Sequence, residues 1–226
     1  MKKTVKQAFI ATIPVLTGYL VLGFGFGIIL KANGYGIGVA FLMSLFIYAG
    51  SMQYVAIDLL AGGASLITAA ITTLMVNARH LFYGISMLDK YKNMGKRKPY
   101  LIFALTDETY SLVCNENPQI SEERRKDYYL LVSMFNQIYW ITGSLLGSAV
   151  GSLVNFNSEG IDFALTALFL TVFIEQWMAV KNHTPALIGV GVSVICLVLF
   201  GGDKFLIPTM LVIFVLLCLQ KEAEHD

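Results

Sequence analysis

Charge is what this sequence has least of. Lys, Arg, Asp and Glu together make up 14% of its 226 residues, against about 25% in an average soluble domain. So thin a charge excludes an ordinary water-facing surface. A net charge of +1 and the lack of a basic stripe interleaved with aromatics leave no case for nucleic acid as a partner. Cysteine is scarce too: Cys114, Cys196 and Cys218 are far apart, odd in number and in no CxxC pattern. They specify neither a disulfide framework nor a metal site. His80, His183 and His225 are scattered, with no HExxH, and no P-loop glycine pattern occurs. No cofactor or metal is implied.

What is present is apolar. Hydrophobic residues make up 56% of the chain and mean hydropathy is +0.67. The apolar residues fall in runs near the roughly 20 needed to cross a bilayer. The expected class is an all-α polytopic membrane protein forming one integral membrane transport domain over 1–226. Candidate spans run over 8–31, 37–60, 64–87, 128–153, 162–180, 185–201 and 206–220. The N-terminal Lys2, Lys3 and Lys6 mimic a signal-peptide n-region. The run that follows is long and lacks a clear cleavage site, so it reads as a retained helix.

Several spans carry polar groups that lipid does not tolerate. Asn77, Arg79, His80 and Tyr83 close the third span and fall on one helical arc of roughly 160°. A charge at membrane depth costs roughly 2.5–3.5 kcal/mol even on a lenient scale. Such a group either faces a bundle interior or snorkels to the headgroups. In the second span Gln53, Tyr54 and Asp58 share an arc, and Gly50-Ser51 marks a weak point where the helix is expected to unwind. In 128–153, Ser133, Asn136, Gln137, Trp140 and Ser144 lie on one stripe with Gly143, Gly147 and Gly151. That stripe faces protein or water. Gly23-x-x-x-Gly27 in the first span permits close approach of a neighbouring helix. Asp107-Glu108-Thr109-Tyr110 interrupts a short apolar segment, 100–113, whose length favours a re-entrant or interfacial piece over a crossing. Glu175 lies near the end of the fifth span.

Basic clusters at Lys90–Lys98 and Arg124–Lys126 place 88–127 in the cytoplasm. Three crossings before that segment put the N-terminus outside, against its lysines. The alternative keeps the N-terminus inside and makes one early segment re-entrant. Shifting the chain by 124 residues superposes Gly23 on Gly147 and Gly27 on Gly151, which favours related halves, 8–87 and 128–201. Halves of opposite orientation suit alternating access. The expectation is therefore seven crossings with the N-terminus outside.

Polar groups in five places read as the lining of a small-solute route. Arg79 suits a carboxylate, acidic groups or broken-helix carbonyls suit an ammonium, and Tyr54, Tyr83 or Trp140 suit an apolar tail. Ser51, Gln53, Asn77, His80, Asn136 and Gln137 complete the candidate pathway. Asp58, Asp107, Glu108 and Glu175 are the candidate proton-coupling groups. A passive channel or permease for another small solute, and an assembly subunit whose polar residues bind only a partner, fit the same inventory. A membrane enzyme fits it poorly, because His80 with Asp107 or Glu108 has no nucleophile elbow, metal spacing or cofactor motif beside it.

The chain resembles the AzlC family of bacterial branched-chain amino acid permeases. The residues that carry the likeness are Gly18-Tyr19 with Gly23-Phe-Gly-Phe-Gly27, Tyr48-Ala-Gly-Ser-Met-Gln53, Asn77-Ala-Arg-His-Leu-Phe-Tyr83, Asp107-Glu-Thr-Tyr110 and the stretch Asn136 to Trp140. The resemblance implies the large subunit of a two-component exporter in the inner (plasma) membrane, acting with a small AzlD-type membrane protein. It also implies efflux of leucine, isoleucine or valine, coupled to protons.

Overall fold

The computed structural model describes residues 2–114, 120–153, 170, 173–174, 177–178, 180, 182–202 and 205–223. Regular structure among them is entirely helical: α1 (Lys2–Ala32), α2 (Ile37–Phe46), α3 (Gly50–Ala61), α4 (Leu66–Val76), α5 (Ala78–Ser86), α6 (Leu88–Tyr91), a 3-10 turn (Gly95–Arg97), α7 (Lys98–Phe103), α8 (Asp107–Val113), α9 (Glu122–Leu153), α10 (Thr184–Phe200) and α11 (Leu206–Ala223). The chain forms two compact units, 1–165 and 166–226. In the second, α10 and α11 pack on each other, and the Trp177 ring stacks on His183 with centroids 4.0 Å apart.

The first unit is built on α1 and α9, and glycine is the reason they meet. Gly27 and Gly147 lie so close to the facing backbone that a Cβ on either would overlap it. A Cβ on Gly143 would stand 2.8 Å from the Tyr19 carbonyl oxygen. Small residues let two helices pack through their backbones in this way. Along the pair, Phe9 meets Phe135, Thr12 meets Tyr139, Phe24 meets Gly147 and Lys31 meets Gly151. The two helices therefore run parallel. This corrects the expectation of opposite orientation for the two matched segments: Gly23 packs against Gly143 and Gly27 against Gly147, and the two helices run in the same direction.

Two of the expected spans are broken, the first of them just before the suspected weak point at Gly50-Ser51. The 37–60 stretch bends back at 47–49, where Tyr48 adopts φ +43°. Gln53 Nε2 donates to Ser44 Oγ across the turn at 3.3 Å. In a continuous helix nine residues would separate these groups by about 13 Å, so the bond requires a hairpin. The 64–87 stretch is interrupted at Asn77, which ends α4 and starts α5. The short 100–113 segment also folds as a hairpin, turning at 104–106. Leu101 on its first limb and Leu105 in the turn share a buried cluster with Val113 on the second limb, with Ala8 of α1, with Tyr128 and Val132 of α9, and with Met87 and Tyr91 after α5.

Three facts fix the level of each piece within this unit. Arg97 pairs with Asp127 near the start of α9, Tyr100 OH donates to Gln137 Oε1 at 2.8 Å, and Thr106 reaches the Tyr19 hydroxyl at 2.7 Å. Hairpin α7–α8 therefore enters from the end holding the start of α1 and α9. Hairpin α2–α3 starts at the opposite end, after Ala32, and its tip residue Tyr48 packs on Phe103 with centroids 6.1 Å apart. The two tips meet midway. Between them α4–α5 runs antiparallel to α1, bringing Met87 to the Ala8 cluster.

The outside of this unit is apolar. Leu66, Ile67, Leu74, Leu81, Phe82 and Ile85 on α4–α5 are exposed, and α4 buries no residue. Contiguous surface of that kind suits hydrocarbon rather than water. Among the described helices, α1 is the one both long and apolar enough to cross a bilayer by itself.

Candidate functional site

The meeting of the two hairpin tips and the α4–α5 break concentrates polar groups that a continuous helix would have dispersed. Arg79, two residues past the break, lies at its centre. Its Nη2 donates to Ser51 Oγ at 2.9 Å and its Nη1 pairs with Asp107 Oδ2 at 2.7 Å. One guanidinium thus ties the first turn after each hairpin tip, a task for which its planar fork is suited. Arg79 turns inward to this pair rather than ending in a free snorkelling contact, and its side chain keeps 35% of its surface accessible against 21% for Asp107.

The junction has unused hydrogen-bonding capacity. Arg79 Nε, Asp107 Oδ1 and Asn77 Oδ1 are buried without a partner. Buried polar groups are normally satisfied, so an idle donor and an idle acceptor within one ion pair, with Asn77 Oδ1 idle two residues before Arg79, need an explanation. Next to them His80 Nδ1 lies 3.2 Å from the Asn77 carbonyl oxygen, and its ring meets Tyr83 edge-on. Tyr83 stacks on Tyr110 with centroids 4.6 Å apart. Glu108, next to Asp107, has a different partner and accepts the Tyr19 hydroxyl at 2.5 Å.

The remaining sequence candidates form a second group, bonded to protein. Trp140 Nε1 donates to Gln53 Oε1 at 2.8 Å, Asn136 Nδ2 to Thr109 Oγ1 at 3.0 Å, and Gln137 Nε2 to the Leu45 carbonyl at 3.2 Å. Tyr54 OH donates to the Leu22 carbonyl at 2.6 Å. These bonds fasten both hairpins to α1 and α9. Asp58 is exposed in the last turns of α3 and makes none of these contacts. Glu175 lies outside the described residues. Sequence reasoning assigned no role to Tyr19, Tyr48, Thr106 or Thr109. For Tyr19, Tyr48 and Thr109 a signal existed, because all three lie in the blocks that carry the family resemblance.

The family model described as AzlC protein matches residues 14–154, the segment holding both hairpins and the Arg79 junction. The branched-chain amino acid transport protein AzlC of Bacillus subtilis is 47% identical, covering 97% of this chain and 86% of its own length. An uncharacterized membrane protein of Helicobacter pylori (strain 26695) is 46% identical over 98% of this chain and 97% of its own. The inner membrane protein YgaZ of Escherichia coli is 26% identical over 79% of this chain and 76% of its own. No solved structure matches. With more than half its length under the family model and a near-full-length relative well above 30% identity, this chain is a helical membrane protein of the AzlC family, a family of branched-chain amino acid transport.

Proposed function

We propose that the chain is a secondary transporter that exports leucine, isoleucine or valine across the bacterial inner membrane, driven by the proton gradient. A small AzlD-type membrane subunit, expected from the family resemblance, completes it. The observation that carries the reading is the Arg79 junction. A guanidinium with an idle Nε offers a donor to a substrate carboxylate, and the idle Asp107 Oδ1 and Asn77 Oδ1 offer acceptors to its ammonium. A zwitterion needs both, in one place. Ser51, His80 and Tyr83 border the same point, and the Tyr83–Tyr110 stack gives an aliphatic side chain an apolar wall. Gln53, Tyr54, Asn136, Gln137 and Trp140 support the hairpins that carry the site.

Counterflow of radiolabelled leucine in proteoliposomes tests this, with and without the small subunit. Arg79→Ala should cut counterflow more than about tenfold while the protein still folds and inserts. Normal counterflow in that variant removes the site. Flux that is fast, passive and unaffected when the proton gradient is collapsed would make the protein a channel instead.

A further inference from the structure

Asp107 and Glu108 are adjacent in sequence but have different partners. Asp107 pairs with a cation, Arg79. Glu108 is held by hydroxyls: Tyr19 OH donates to its Oε2 at 2.5 Å, and that hydroxyl also contacts Thr106 Oγ1 at 2.7 Å. The chain of polar contacts continues from Thr106 to Thr109 at 3.2 Å and from Thr109 to Asn136 at 3.0 Å. The titratable and charged groups facing Glu108 are Tyr19 on α1, Tyr48 at the α2–α3 tip, Tyr83 on α5 and Asp107 beside it. Arg79 is already engaged by Asp107. The other described carboxylates in this unit have different settings. Asp127 pairs with Arg97, Asp58 is exposed, and Asp89, Glu122 and Glu123 line a surface groove with Lys90 and Lys126.

A carboxylate at bundle depth with hydroxyl partners and a neighbouring negative charge carries an uncompensated charge, which a membrane interior penalises. Binding a proton removes that charge without breaking the Arg79–Asp107 pair. We infer that Glu108 is the proton-binding carboxylate of the transport cycle and that Tyr19 is its positioning residue, leaving Asp107 to the substrate. The step is a simple exchange: the Glu108 carboxylate takes one proton from water on the acidic side and returns it to water on the other. The inference rests on the proposed transport of a zwitterion and adds the group that couples it to the proton gradient.

The test uses the full chain with its small subunit, where required, in proteoliposomes. Leucine flux driven by a pH gradient is measured beside leucine counterflow, which needs no gradient. Glu108→Gln should lower gradient-driven flux more than about tenfold while counterflow falls no more than about threefold. Tyr19→Phe should move the pH profile of gradient-driven flux while retaining counterflow. Gradient-driven flux that survives in Glu108→Gln overturns the assignment. So does equal loss of both activities in Glu108→Gln protein that melts like wild type, since that makes Glu108 part of the substrate site. Absence of leucine counterflow in the unmodified protein sinks the transport reading itself, an outcome distinct from the other two.

Discussion

At the scale of single residues, two kinds of polar side chain share the interior, and they respond differently to substitution. Arg79 bonds through two nitrogens to two elements. Lysine keeps the charge but cannot span Ser51 and Asp107 with a planar fork. Arg79→Lys should therefore lower leucine counterflow at least about tenfold, with near-normal thermal stability in detergent. Trp140 belongs to the other kind. Trp140→Phe keeps the ring that packs near Phe26 but leaves Gln53 Oε1 buried without its donor. The cost is about 1–3 kcal/mol, read as a lower melting temperature. Arg79 was legible in the sequence because a guanidinium in an apolar run has few explanations. The division between Gln53 and Gln137 on one side and Asn77 and Asp107 on the other was not. An amide in a membrane helix looks the same whether its partner is protein or solute, and only the geometry tells them apart.

At the scale of elements, the α1–α9 pair could be read from its glycines, whereas the hairpins could not be read from periodicity. Gly23, Gly27, Gly143 and Gly147 recur at spacings of four, a pattern tied to backbone contact. Gly18 lies on the same helix with nothing within 4 Å of a would-be Cβ. Gly147→Ala should destabilise the protein strongly, because the added methyl meets the Phe24 backbone, which cannot move aside as a side chain can. Gly18→Ala should be neutral or stabilise by up to about 1 kcal/mol. Thermal melts of the two variants in one detergent check the contrast, and equal melting would disprove the packing argument. The turn at 47–49 falls just before the suspected Gly50-Ser51, with Tyr48 taking the positive φ that a glycine would take more easily. The break at Asn77 was not read from the sequence, because Asn77, Arg79, His80 and Tyr83 also fit one arc of an unbroken helix.

At the scale of the whole first unit, the parallel run of α1 and α9 bears on the topology. With the two helices parallel and α4–α5 antiparallel, Lys2, Lys3 and Lys6 lie at the same end as Lys90 to Lys98 and Arg124 to Lys126. The conflict between the N-terminal lysines and the cytoplasmic 88–127 segment then disappears. A re-entrant α2–α3 hairpin would change the parity of the early segments and put the three basic clusters of this unit on one side, as the positive-inside rule requires. The sequence alone could not make this choice, because a 24-residue apolar stretch satisfies the length criterion whether it crosses or turns back. In a cysteine-free background, single substitutions Lys2→Cys, Asn33→Cys, Ser65→Cys and Lys92→Cys separate the arrangements. A membrane-impermeant maleimide applied to intact cells should label positions 33 and 65, and reach 2 and 92 after the cells are opened. Labelling of position 2 from outside, with 92 protected, would restore the seven-crossing arrangement. It would also remove the opposed hairpins on which an alternating route past Arg79 depends.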